Sequence, residues 1–242
     1  MQNGFLKFAL AVLGLLFSYT VANGQSPEIA LARADSLFSA RKYTQSLEVY
    51  TGLFNQKTYS PAMLLRMAFI EEGLSRHAEA IYYLNLYYNH TFDEAALRKI
   101  QDLAAAHRFS GYDQTDMDRL ATAWRRYGYT VTLALALFAL ACTVWLLLSA
   151  EKKTIKTTPW IAQSVVMVLL LLHLNFPFQQ KAIIHSDTAY LMSGPSAGAS
   201  VVTKINGGHR VTVLGKHDVW VKIKWESKEV FIRESNVRPV EF

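Results

Sequence analysis

Two long stretches near the middle of the chain contain no Asp, Glu, Lys or Arg. Residues 128–149 read GYTVTLALALFALACTVWLLLS, and residues 160–178 read WIAQSVVMVLLLLHLNFPF. At ~1.5 Å per helical residue they span ~33 Å and ~28 Å, close to the ~30 Å of a bilayer's hydrocarbon core. A backbone crossing lipid must satisfy its own hydrogen bonds, so the spacing predicts two membrane helices. The ten residues between them, AEKKTIKTTP, leave room only for a tight loop. A hairpin of this kind places the modules before and after it on the same side of the membrane. That constraint shapes every functional expectation for this chain.

The start of the chain supplies a direction. Lys7 precedes a short apolar core, residues 8–17, and Ala22-Asn23-Gly24 forms a small-residue pattern ahead of Gln25. This is the layout of a secretory signal peptide, predicted over residues 1–24. Export then places residues 25–127 outside the cytoplasm, residues 150–159 inside, and the C-terminal module outside. Lys152, Lys153 and Lys156 in the loop fit the inward bias of basic residues, while Arg125 and Arg126 argue against it. The expected location is a bacterial inner membrane, with both modules on the periplasmic side. The single cysteine, Cys142, lies inside the first apolar run, so an internal disulfide is impossible. Residues 25–127 are electrically neutral, and residues 179–242 carry a surplus of +3. That surplus is far below a nucleic-acid footprint.

Residues 25–127 predict a helical repeat. Ala34 and Ala68 are 34 residues apart, as are Ser46 and Ala80, Leu47 and Ile81, Tyr50 and Leu84, and Leu53 and Tyr87. Small residues recur where paired helices approach closely, and large ones recur where the next pair stacks. ADSLFSARKYTQSLEVY and SPAMLLRMAFIEEGLSRHAEAIYYL resemble two tetratricopeptide repeats, with Tyr43 and His77 just after the turns. Residues 92–107 are expected to form a degenerate third unit, and residues 113–127 a last helix running toward the membrane. The resemblance implies an all-α solenoid with a concave groove for a peptide or partner helix. Tyr82, Tyr83, Tyr87 and Tyr88 crowd one helix. Tyr82 and Tyr87 are candidate groove residues, although core packing also accounts for them.

After residue 182 the pattern changes to short alternating strands. Residues 211–213, 219–225 and 230–232 alternate apolar and polar positions, and Asn206-Gly207-Gly208 and His217-Asp218 supply turns. Five or six strands in residues 183–242 predict a closed small barrel. The segment AYLMSGPSAGASVVTKINGGHRVTVLGKHDVWVKIKW resembles a bacterial SH3 domain (SH3b). The resemblance rests on the SGPS loop (residues 193–196), on Ile205, Gly208, Val211 and Val213, and on the strand Val219-Trp220-Val221-Lys222-Ile223. Val230-Phe231-Ile232 replaces the family's later Gly-Trp-Val, and Met192 replaces the usual Arg. Trp220 and Phe231 are candidate ligand-binding residues; a core role fits them equally well.

Catalytic chemistry finds no support. Gly194-Pro195-Ser196-Ala197-Gly198 matches the G-x-S-x-G elbow, but that elbow needs a strand-to-helix turn and a downstream Asp then His. Here a strand follows, and His217 and Asp218 are adjacent and reversed. The seven histidines are scattered without ligand spacing. No metal, no cofactor and no enzymatic activity are expected.

The fold class is therefore multi-domain: an all-α tetratricopeptide-like solenoid, a two-helix transmembrane hairpin (residues 128–149 and 160–178) and an all-β SH3-like small barrel. In that order the parts resemble the BatE family of the Bacteroides aerotolerance operon. Residues 111–140, GYDQTDMDRLATAWRRYGYTVTLALALFAL, are similar to that family's helix leading into the membrane. The resemblance implies a non-enzymatic envelope scaffold, possible von Willebrand factor A-type Bat partners, and an association with stress or oxygen tolerance. The alternative expectation is a module that senses or targets peptidoglycan. Membrane lipid is a further expected partner, and nucleic acid is not.

Overall fold

A computed structural model describes residues 26–149, 158–175 and 179–240. The expected signal peptide and most of the expected cytoplasmic loop lie outside the described residues. By its internal contacts the chain divides into two compact units, one ending at Ser60 and one beginning at Pro61.

The first unit contains a helical hairpin, α1 (Pro27–Ser39) and α2 (Tyr43–Asn55). Pro27 opens α1, where its missing N–H costs no hydrogen bond. Arg41 takes a left-handed φ of 58° in the turn. Ser46 is fully buried because its hydroxyl donates to Ala34 O at 2.8 Å. The Tyr50 hydroxyl donates to Asp35 at 2.6 Å. The small residues at 34 and 46 let the two helices approach, and these two bonds satisfy what the approach buries.

The second unit begins with a hairpin of the same geometry, α3 (Pro61–Gly73) and α4 (His77–Thr91). Both helices start 34 residues after their counterparts. Ser75, with φ 59°, repeats the left-handed turn of Arg41 at that same spacing. Ala68 and Ala80 are buried where Ala34 and Ser46 are buried. The sequence period is thus a period of helix starts, turns and close contacts. Helix α5 (Glu94–His107) follows, capped by Asp93, whose carboxylate accepts from Ala95 N at 2.8 Å.

Residues 113–127 do not form a helix of their own. Helix α6 runs unbroken over Asp116–Ser149, joining that segment to the first apolar run. Gly128 alone does not interrupt it, because a lone glycine lowers helix propensity by only ~1 kcal/mol. Residues 176–178 of the expected second run lie outside the described residues, and helix α7 is described over Thr158–Leu174. It packs antiparallel on α6. Gln163 Nε2 donates to Thr143 Oγ1 at 3.1 Å, and His173 Nε2 donates to Gly128 O at 3.1 Å. The His173 ring also lies 4.2 Å from that of Trp124. Among the described residues one helix, over Asp116–Trp145, is long and apolar enough to cross a membrane; Gln163–Leu174 is a shorter apolar helix. Both helices expose large apolar side chains, including Leu137, Leu140, Trp145, Ile161 and Leu172.

Seven antiparallel strands complete the unit: β1 (Lys181–Ile184), β2 (Ala189–Met192), β3 (Val201–Ile205), β4 (Arg210–His217), β5 (Trp220–Trp225), β6 (Lys228–Arg233) and β7 (Val237–Pro239). Their order is β3-β2-β6-β5-β4-β1-β7. All seven contribute to one core, with Ile184, Leu191, Ile205, Val211, Ile223, Ile232 and Val237 among its members. The sheet therefore curls around its own interior. The expectation of a closed barrel is corrected: β3 and β7 are the two ends of the ladder and do not pair. Two short strands missed by the pattern, β1 and β7, bring the number above the expected five or six. Pro239 sits in an edge strand, where its lack of an N–H is tolerated.

The β7 end is covered by the unit's own helices, one way of protecting a sheet edge. Arg238 pairs with Glu79 of α4 at 2.6 Å, and Asn89 Nδ2 donates to Val240 O at 2.6 Å. Next to this, residues 108–118 form a strap against β1 and β4. The buried Tyr112 hydroxyl donates to Gly208 O at 2.7 Å, and Arg210 Nε donates to Gly111 O at 2.7 Å. Ser110 N donates to His209 Nδ1 at 2.9 Å, and Lys181 pairs with Asp118 at 2.9 Å. Gly208 has φ 99°, and the Phe109 ring occupies the space a β-carbon would need. The rings of His77, His107, Phe109, His209 and Trp225 follow one another at centroid spacings of 3.6, 5.7, 5.7 and 5.3 Å.

Candidate functional site

Strand alternation sorts the side chains of β5 and β6 onto two faces. Val221, Ile223, Val230 and Ile232 point into the core. Trp220, Lys222, Phe231 and Arg233 therefore point outward. The register aligns Trp220 with Arg233, and Lys222 with Phe231, across the strand pair. Phe231 is also opposite Met192 of β2.

On this outer face lies an open cleft of ≈ 380 Å³, lined by Tyr190, Met192, Ala197, Val201, Trp220, Arg233 and Asn236. Trp220 is 9% exposed yet is not part of the core inside the curled sheet. Its burial comes from cleft neighbours, among them the Arg233 guanidinium, 6.0 Å from the ring centroid. At that distance the cation adds a weak attraction and leaves room to exchange partners. Tyr190 is half exposed. The cleft thus combines an indole, a phenol, a thioether and one exposed positive charge. That set suits a ligand with apolar or sugar-like faces and acceptor groups.

The loop before β3 shapes one wall. Ser193 N donates to Ser200 O at 2.9 Å, closing the loop, and Ser196 Oγ accepts from Gly198 N at 3.1 Å. The Ser196 hydroxyl is used to hold its own turn. Val201 opens β3 at the unpaired end of the ladder, so the cleft adjoins a free strand edge.

The four residues singled out in the sequence are not brought together. Trp220 lines the cleft. Phe231 shares its face, half-buried, outside the cleft lining. Tyr82 is buried on α4 beneath the Arg238 guanidinium, 5.6 Å from its centroid, and edge-on to Tyr83. Tyr87 is half-buried, and its hydroxyl donates to Asp93 at 3.2 Å. Burial pushes the Tyr83 phenol above its ordinary range. Sequence reasoning missed Tyr190, Val201 and Arg233. Tyr190 is an alternating aromatic three residues before the SGPS loop and was open to discovery. Arg233 was not, because only the register places it across from Trp220.

Residues 187–238 match the family described as bacterial SH3 domain. The curled sheet around the cleft is thus an SH3b domain, extended at its front by β1. No curated protein and no solved structure matches the chain.

Proposed function

We propose that this chain is a non-enzymatic envelope protein whose SH3b domain binds cell-wall peptidoglycan, or the peptide of a protein partner, through the Trp220 cleft. The single observation that carries the reading is that cleft, an aromatic surface beside an unpaired strand edge. A stem peptide or protein segment in extended form would add to β3 while its side chains enter the cleft. The α6–α7 pair is the membrane anchor in this reading. Its wide apolar surface, unburied along α6, supports that reading. With residues 1–24 read as a signal segment, both modules would lie in the periplasm.

A scaffold role accompanies the binding role. The 34-residue recurrence of helix starts and turns supports tetratricopeptide-type repeats, which hold partner proteins. The BatE-like order of parts points to membrane proteins of the von Willebrand factor A type. Two tethered binding units raise avidity without any new contact.

The test uses the full chain in mild detergent with purified sacculi. The wild type co-sediments, and Trp220→Ala lowers the bound fraction at least fivefold, while Phe231→Ala has a smaller effect. Equal sedimentation of wild type and Trp220→Ala rejects the cleft. Recovery of envelope proteins by the full chain, lost on changing the helical unit alone, tests the scaffold. Reporter fusions at residues 60, 153 and 242 test the topology; opposite sides for 60 and 242 reject the hairpin.

A further inference from the structure

A second cleft, of ≈ 180 Å³, opens between α4, the first turns of α6 and strands β1 and β4. Three cations line it, Arg125, Lys181 and Arg210, against one carboxylate, Asp118. Asp118 is already engaged. Lys181 lies 2.9 Å away, and Thr115 donates to it through its backbone N and its hydroxyl. Burial opposes its charge, but Lys181 and Thr115 outweigh that and hold the carboxyl below its ordinary range. Asn85, Asn89 and Thr122 add polar groups to the wall.

Arg210 is the unusual member. Its Nε donates to Gly111 O, and its guanidinium lies 4.9 Å from the Tyr112 centroid, so the group is held in place. Its Nη2 is buried and has no hydrogen-bond partner among the described residues. A half-buried cation with no carboxylate in hydrogen-bond contact is costly; burial depresses its basicity, Tyr112 and Asp118 oppose that, and the nearby Arg125 adds to it. An anion bridging Arg210 and Arg125 would offset that cost with charge-assisted hydrogen bonds. The cleft also has a defined level in the fold. Arg125 precedes the first apolar run by three residues, and Gln179, after α7, lines the same wall.

We propose that this cleft binds a phosphate group, supplied by a lipid headgroup or by free phosphate, with Arg210 and Arg125 as its cationic partners. The site is separate from the Trp220 cleft and needs neither peptidoglycan nor a protein partner. Only the lipid source rests on the membrane reading, which would place Arg125 and Gln179 at headgroup depth.

The experiment has two arms, both on the full chain in neutral maltoside. In the first, native mass spectrometry measures retention of phosphatidylglycerol, with phosphatidylcholine as the control. In the second, inorganic phosphate is titrated against chloride at equal ionic strength, and binding is followed calorimetrically. The variants are Arg125→Gln, Arg210→Gln, Arg210→Lys and, outside the cleft, Lys216→Gln. Arg125 is exposed, so Arg125→Gln reports on the site even where Arg210→Gln fails to fold. The expected result is a loss of at least fivefold in Arg125→Gln and Arg210→Gln, partial retention in Arg210→Lys, and none lost in Lys216→Gln. Loss in the lipid arm assigns a headgroup, and loss in the phosphate arm alone assigns a free anion. No binding in either arm, or binding unchanged by Arg125→Gln, overturns the proposal. Carbonate extraction separates the two readings: a chain released from membranes that still binds phosphate ends the membrane reading and keeps the site.

Discussion

The SH3b domain carries two faces of similar chemistry and opposite fate. Toward the helices, Arg210 lies over Tyr112, and Arg238 lies over Tyr82. On the outer face, Arg233 lies over Trp220. Arginine on an aromatic ring recurs on both sides. The difference is in the surrounding hydrogen bonds. Arg210 is tied to Gly111 O, and Arg238 is tied to Glu79, whereas Arg233 is exposed. One face is completed by the chain's own strap and helix, and the other is left to an outside ligand. Composition does not distinguish a docking face from a binding face. Anchoring of the cation to the chain's own groups does: Arg210 Nε and Arg238 each hold such a bond, and only Arg210 Nη2 is left over.

The sharpest way to break that contrast is at Gly111. Its φ is 89°, and a β-carbon there would run into the backbone carbonyl of Arg210, which cannot swing aside. Gly111→Ala should destabilise the second unit by about 3 kcal/mol or more, combining a left-handed backbone penalty with displaced strap bonds. Denaturant titration checks this. A loss below about 1 kcal/mol would mean that the strap contributes little to docking.

A smaller effect comes from pH. Ser110 N donates to His209 Nδ1, so the bond requires that nitrogen unprotonated. Burial depresses the His209 pKa below its ordinary value. His77 shifts the same way, through burial and then the facing His107, with Glu72 opposing. A base with a lowered folded pKa contributes its full stability above the unfolded value, ~6.5, and loses it as pH falls toward the folded value. The second unit should therefore melt lower at pH 5.0 than at pH 7.5. His209→Asn, which keeps an acceptor but does not titrate, should reduce that difference. An unchanged slope would remove His209 from the docked face.

The smallest effect belongs to exposed pairs outside the strap. Lys216 and Glu234 lie 2.6 Å apart but are more than half exposed. Lys216→Gln should cost less than about 0.5 kcal/mol by the same titration. A larger loss would mean that ion pairs outside the strap stabilise the domain as the strap does.

Much of the local structure was legible. The alternation of Val211 to Val213 and of Val219 to Trp225 anticipated β4 and β5, because a half-buried strand must alternate. The 34-residue spacing of Ala34 with Ala68 and of Ser46 with Ala80 anticipated two equivalent hairpins. The last helix expected over residues 113–127 starts at Asp116 and continues through the first apolar run, because a change from polar to apolar residues does not end a helix without a breaking residue. The candidate site was only partly legible. Trp220 stood out by type, but Arg233 and Val201 reach it through strand register and sheet curl. Tyr82 stood out for the same reason as Trp220 and proved to be covered by Arg238.

The amino-acid order by itself determined the short-range features: two apolar runs, helix starts at a fixed period, strand alternation and the turns between. These depend on neighbours within a few residues, whose propensities and periodicities are written along the chain. Only the tertiary structure decided that residues 108–118 hold the SH3b domain, and that Arg210 keeps one buried, unpartnered nitrogen in a cleft shared with Arg125. Those outcomes join residues about a hundred positions apart, and no local propensity encodes which distant carbonyl or ring a side chain will meet.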